Sequence, residues 1–155
     1  ATIDDRKIRL EFWDASGDSE STAITSLYFR GVDAVIIMYD CSDRQSFQEL
    51  PRWLNEARKY CAHNIPISVV ANKIDLENRV VLKIEAGDLA EDHNASYFEV
   101  SAKDGTNARC CVEKMASEYL RKAMSASTFK ISGERHSSIM VKRNKQTSYS
   151  CNRGQ

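Results

Sequence analysis

A chain of 155 residues with 22 acidic and 22 basic side chains has the size of one folded domain and no net charge to draw it to nucleic acid. With 42% hydrophobic and 28% charged residues it has a globular composition rather than a disordered one. No apolar run reaches the length of a membrane span, no signal-peptide pattern opens the chain, and five scattered cysteines favour a reducing, cytoplasmic setting over a disulfide framework.

Taken in chain order, "IRLEFW" (Ile8 to Trp13) alternates with period two, as a half-buried strand does. "VDAVIIMYD" (Val32 to Asp40) is a continuous apolar run closed by an acid, the pattern of a strand covered on both faces. From Ser46 to Cys61 the residues Phe47, Leu50, Leu54, Ala57 and Cys61 share one helical stripe, with Pro51 near its first turn. A strand at Ile67–Ala71, a short helix over "KIEAGDLAEDH", a strand at Tyr97–Val100 and a long amphipathic helix over "NARCCVEKMASEYLRKAM" complete the domain. The long helix places Val112, Met115, Ala116, Tyr119 and Leu120 on its apolar face. Such alternation predicts an α/β fold, a mostly parallel sheet with helices on both faces. Its ligands bind outside the carboxyl ends of the strands. Cys61 and His63 have no second pair beside them and make a poor zinc motif.

Charge is uneven along the chain. Residues 125–155 hold six cations, one acid and seven serines, which predicts a polar, basic, disordered tail after a domain at 1–124. Such a tail would be weakly attracted to anionic lipid or an acidic partner.

Three loops follow predicted strands: Asp14-Ala15-Ser16-Gly17, Asn72-Lys73-Ile74-Asp75 and Ser101-Ala102-Lys103. Each alone is ordinary turn chemistry. In this order, each at a strand end, they converge on one crevice. Here the chain resembles the small GTPases of the Ras superfamily, most closely the Rab branch, through "WDASG", "TSLYFRGVDAVIIMYDCSDRQSF", "ANKIDL" and "EVSAKDG", from about Lys7 to Met124. The resemblance implies a P-loop NTPase-like (Ras-type) G domain that binds GTP and GDP with magnesium and acts as a switch in vesicle transport.

The resemblance also implies roles. Asp75 would accept both donors of the guanine edge as a bidentate pair, and adenine, lacking that pair, would leave it unmatched. Asn72 would support the other side of the base and tie loops together. Lys73 would lay its stem along the base plane. The Ala102 N–H would meet the guanine carbonyl, and Ser101 and Lys103 would shape that turn. Asp14 would help hold magnesium, and Gly17 would bring an N–H to the terminal phosphate. Trp13 and Tyr28 would form part of a surface for effectors, beside exchange and activating proteins. A monomer, cytoplasmic and at most peripheral on endomembranes, is expected.

Three departures qualify this. Asp18 stands where the family places a water-orienting Gln; it is shorter and, ionised, only accepts hydrogen bonds. Slow hydrolysis is expected, unless Asp18 merely caps a helical turn. No G-x-x-x-x-G-K-[ST] phosphate loop occurs, since no Gly is followed by Lys. "TIDDRKIRLEFWD" looks like a hairpin turn and its second strand, so the family's first strand and first switch are missing. That strand would lie between Ile8–Trp13 and Ala34–Tyr39, which should be separated by a gap or re-paired. Cys151, with four residues after it, does not form a prenylation box. Whether the chain hydrolyses GTP is therefore open. The alternative is a non-catalytic interaction module with little nucleotide binding.

Overall fold

The computed structural model describes residues 2–3, 6–15 and 29–125, and the backbone of 136–143. In chain order the elements are β1 (Thr2–Ile3), β2 (Arg6–Lys7), β3 (Arg9–Ala15), β4 (Ala34–Asp40), α1 (Arg44–Gln48), α2 (Leu50–Tyr60), β5 (Ile67–Asn72), α3 (Lys83–Asp92), β6 (Ser96–Glu99), α4 (Ala108–Ser125) and β7 (His136–Arg143). β1 and β2 form a small antiparallel hairpin. The other five strands make one sheet in the order β3-β7-β4-β5-β6, parallel throughout.

Alternation along β4 sorts its side chains between two cores, because successive residues of a strand face opposite ways. Val35, Ile37 and Tyr39 join Phe47, Leu50, Trp53, Leu54 and Ala57 of α1 and α2, with Ala86 and Ala90 of α3. Ala34 and Ile36 join Val70, Cys111 and Met115 on the other face, under α4. Helices thus cover both faces, as the continuous apolar run predicts. Each fully buried side chain of Leu54 or Ile37 size contributes roughly 1.5–3 kcal/mol through its removal from water. The hairpin packs on α4, with Ile3 and Ile8 against Ala116 and Leu120.

The helix expected over Ser46–Cys61 is two pieces. Asp43 caps α1, its carboxylate accepting from the Gln45 N–H at 2.9 Å. Pro51, in the first turn of α2, lacks the N–H that would continue the α1 ladder, so the chain restarts there. Trp53, absent from the predicted stripe, is among the largest fully buried side chains. It takes the stripe position one residue before Leu54.

The main difference from expectation lies in the tail. Composition predicts disorder over 125–155, yet eight of these residues form β7. β7 lies between β3 and β4. Arg9 to Ala15 pair with His136 to Lys142 on one side, and Ala34 to Met38 pair with Ile139 to Arg143 on the other. β7 thereby supplies the backbone partners that β3 and β4 need at their facing edges. Its centre, "IMV", is apolar and strand-forming. A composition averaged over 31 residues hides so short a run.

Candidate functional site

All five parallel strands end on one edge of the sheet, and the second and third predicted loops, with Asp14 and Ala15 of the first, lie there. β5 closes on Asn72, and Lys73 then adopts a left-handed backbone, φ 64°. For a residue with a side chain this costs on the order of 1–3 kcal/mol. Neighbouring bonds hold it. The Cys41 N–H donates to the Asn72 carbonyl at 3.0 Å, the Leu76 N–H to the Lys73 carbonyl at 3.0 Å, and the Ile74 N–H to the Val100 carbonyl at 3.4 Å.

The second and third loops meet in two further bonds. The fully buried Ser101 hydroxyl donates to Asp75 Oδ1 at 2.7 Å. The Ala102 N–H donates to Asn72 Oδ1 at 3.0 Å. Ser101 is held in turn by its own loop, since its N–H donates to the Thr106 carbonyl and its carbonyl accepts from Gly105, each at 3.0 Å. Lys103 Nζ lies 3.7 Å from Asp75 Oδ2, with its side chain largely exposed. Asp75 therefore sits mostly buried and fixed by one hydroxyl. A carboxylate has about four lone-pair sites, so both oxygens keep capacity for a ligand's donors. The Ala102 N–H, expected to meet a base carbonyl, here donates to Asn72. It would have to share or release that bond to reach a base carbonyl.

Motif reading missed the support beneath these loops. Asp40, at the end of β4, takes Lys73 Nζ on Oδ2 at 2.5 Å. Its Oδ1 accepts the Ser42 N–H at 2.8 Å and the Ser42 hydroxyl at 2.6 Å. Burial acts to raise the Asp40 pKa, but the bonds from Lys73 and Ser42 prevail and hold it below the usual carboxylate range. Lys73 thus reaches back across the loop and fastens β5 to β4. Glu99, at the end of β6, is a second anchor. It meets Arg79 at 2.9 Å, Lys83 at 3.4 Å and the Tyr97 hydroxyl at 3.0 Å. Here too burial raises the pKa, and the Tyr97 bond with the two cations brings it below normal. The signals were present, an acid closing the β4 run and another at the close of β6. Their partners lie 33 and 20 residues away in sequence for Lys73 and Arg79, beyond any local pattern.

On the β3 side, Asp14 is exposed, one residue before the strand ends. Phe12 and Trp13 expose about half their surface, 53% and 49%. Gly17, Asp18 and Tyr28 lie outside the described residues. Among the described residues no three His, Cys, Asp or Glu side chains cluster as a metal site. Asp14 is a single exposed carboxylate, one donor of the kind magnesium takes beside phosphate oxygens. Among the described residues, no helix is long and apolar enough to cross a membrane.

Known proteins match this sequence. The family model described as Ras family matches residues 1–121. Ras-related protein RIC1 of Oryza sativa subsp. japonica is 39% identical over 116 residues, 74% of this chain and 57% of that protein. Ras-related protein Rab-1D of Dictyostelium discoideum is 37% identical over 115 residues, 74% and 56%. GTP-binding protein ypt3 of Schizosaccharomyces pombe is 38% identical over 120 residues, 77% and 56%. The chain thus spans rather more than half the length of these relatives. Parallel sheet, paired loops and family match agree, and the chain belongs to the Ras family, as a Rab-like member.

Proposed function

We propose that this chain binds guanine nucleotides and serves as a Rab-type switch in intracellular vesicle transport, with slow hydrolysis of GTP. The observation that carries this reading is the coupling of the two base-recognition loops: Ser101 fixes Asp75, and Asn72 takes the Ala102 N–H. A mostly buried carboxylate with spare acceptor sites suits the two adjacent donors on the guanine edge. Adenine offers no such pair, and its binding would leave Asp75 unmatched. Lys73 is pinned by Asp40, and its stem would lie along the base plane.

The phosphates are the weaker end. Magnesium, when bound, neutralises phosphate charge; Asp14 would approach it, and Gly17 would donate its N–H to the terminal phosphate. Without a phosphate-loop Lys and its N–H cradle, several charge-assisted contacts are absent, each worth roughly 1.5–3 kcal/mol. GDP should therefore bind no tighter than about micromolar, with little dependence on magnesium. Asp18 cannot donate to an attacking water, so turnover should be slow, and Asp18→Gln should raise it; an unchanged rate would favour a capping role for Asp18. The exposed Trp13 of β3, together with Tyr28, is the proposed surface for effectors and for exchange and activating proteins. The protein would act as a monomer in the cytoplasm, peripheral on endomembranes.

Titration of the purified chain with fluorescent GDP, competed by GTP and by ATP, tests the reading. GTP should displace the probe and ATP should not. Equal competition would overturn it, and absence of any binding would favour the non-catalytic interaction module.

A further inference from the structure

We propose that the groove between the β1–β2 hairpin and α4 binds a small organic phosphate, a monoester whose charge meets Lys114 and Arg121 and whose organic part lies on Leu120 and Met124. The groove stands apart from the guanine-nucleotide reading above. β6 and β7 are parallel to the rest of the sheet, so the chain must return from the carboxyl edge between them, and α4 makes that return. The hairpin precedes the start of β3, so it meets α4 toward the opposite edge. Packing forms the groove. Ile3 and Ile8 seat the hairpin on Ala116 and Leu120 of α4, and Arg6 Nη1 donates to Met124 Sδ at 3.1 Å. Between these contacts a volume of about 540 Å³ stays open, with Arg6 on one wall and Lys114, Ser117, Glu118 and Arg121 on the other. Small-molecule sites run to roughly 300–1,000 Å³.

Charge decides what the groove takes. Lys114, Ser117, Arg121 and Met124 recur at three- and four-residue spacing, so they share one face of α4. Glu118 is the acid beside them, and both its oxygens are engaged: Oε1 lies 2.8 Å from Lys122 Nζ, and Oε2 accepts the Ser96 hydroxyl at 3.1 Å. Glu113, the other acid of this part of α4, pairs with Arg109 at 2.6 Å. Among the described residues, neither Lys114 nor Arg121 has a carboxylate within ion-pair distance. The two cations stand about 10.5 Å apart along the helix axis, a span that two long unbranched side chains close from either end. Together they match a phosphate monoester, which carries about −1.5 to −2 charge and three acceptor oxygens. The Arg121 fork can take two of those oxygens, and the Lys114 ammonium and Ser117 hydroxyl can donate to the same group. A lone carboxylate offers one charge and would leave one cation unmatched. The buried Leu120 and the Met124 thioether give an apolar floor, so an ester suits the groove better than inorganic phosphate. The chain's own tail is no candidate, since residues 125–155 hold six cations and one acid.

The test uses the full chain and phenyl phosphate, with benzoate and inorganic phosphate as controls, followed through backbone amide shifts in solution NMR. Phenyl phosphate should bind more tightly than either control and shift amides of α4 around Ser117 and of the hairpin. Lys114→Gln and Arg121→Gln should each lower its affinity by about fivefold, the upper value for an exposed ion pair, whereas Lys114→Arg should keep it. Both side chains are exposed, so these variants should fold as the parent does. The lipid source of the same chemistry is tested with phosphatidylcholine vesicles with and without phosphatidic acid, itself a phosphate monoester. Sedimentation that depends on phosphatidic acid and falls in Lys114→Gln/Arg121→Gln would place the phosphate on a lipid headgroup. Sedimentation that the double variant leaves unchanged would make the ligand a soluble ester. Equal affinity for phenyl phosphate and benzoate, phenyl phosphate binding undiminished in the double variant, or no shifts on α4 at millimolar phenyl phosphate would overturn the assignment.

Discussion

The two ends of the sheet's carboxyl edge are built differently. On the β5–β6 side, recognition groups are positioned by short-range structure: a strand end, a left-handed Lys73, and two loops that bond one another through Ser101–Asp75 and Ala102–Asn72. On the β3–β4 side the two strands do not pair with each other. They depend on β7, which comes from more than a hundred residues beyond β3 in sequence. The difference teaches that the Asn72–Asp75 and Ser101–Lys103 loops, proposed here to read the base, are held by bonds to each other, whereas the β3–β4 side depends on completing the sheet. Damage to β7 should therefore unmake one end and spare the chemistry of the other.

The largest expected effect follows from breaking β7 itself. Met140 is in register with Trp13 and with Val35, so it sits in the middle of a strand paired on both sides. Met140→Pro removes a ladder hydrogen bond from an internal strand, where proline is essentially not found. The loss should be about 3 kcal/mol or more, read as a clear fall in the thermal midpoint. An unchanged midpoint would mean that β7 contributes nothing to the sheet.

On the opposite side, Ser101→Ala should cost less. It removes the hydroxyl that fixes Asp75 and leaves a mostly buried carboxylate short of one bond. GDP affinity should drop by the equivalent of about 1–3 kcal/mol, with a smaller change in stability. If GDP affinity is unaffected, Asp75 needs no positioning and the coupled-loop account fails.

The amino-acid order made most of this fold legible, for physical reasons that also mark where it was not. β4 is a continuous apolar run closed by Asp40, and β5 is an apolar run broken by Ser68 and closed by Asn72; their short length and β-branched residues favour strands. The helix stripe found Leu54 and Ala57, but joined α1 to α2 because periodicity does not register the missing N–H of Pro51. The Asn72–Asp75 and Ser101–Lys103 loops could be placed because their residue types sit directly at strand ends. Asp40–Lys73 and Glu99–Arg79 could not, since they join residues far apart in sequence. β7 was hidden for a related reason. Its few apolar residues make a strand only once two edges wait on either side, and no window of its own sequence contains those edges.

A smaller effect should come from acid. The folded Asp40 pKa lies below its ordinary value. The ion pair therefore adds stability that is complete above the unfolded pKa, near 3.9, and is lost as pH falls through the folded value. Denaturant midpoints of the parent chain should decline below about pH 4. Asp40→Asn should be less stable at neutral pH and show a shallower decline there. Parallel declines in the two proteins would show that Lys73 is not held by Asp40 in solution.

The most direct test of guanine recognition by Asp75 is a change of base preference. Xanthine carries a carbonyl where guanine carries its exocyclic amine. Asp75→Asn replaces one acceptor by a donor, which opposes guanine but complements that carbonyl. Competition of fluorescent GDP and its xanthine counterpart against each protein reads the outcome. The parent chain should prefer GDP, and Asp75→Asn should lose GDP by roughly 1.5–3 kcal/mol while gaining affinity for the xanthine nucleotide. If the substitution weakens both nucleotides equally, or neither, Asp75 does not read the base.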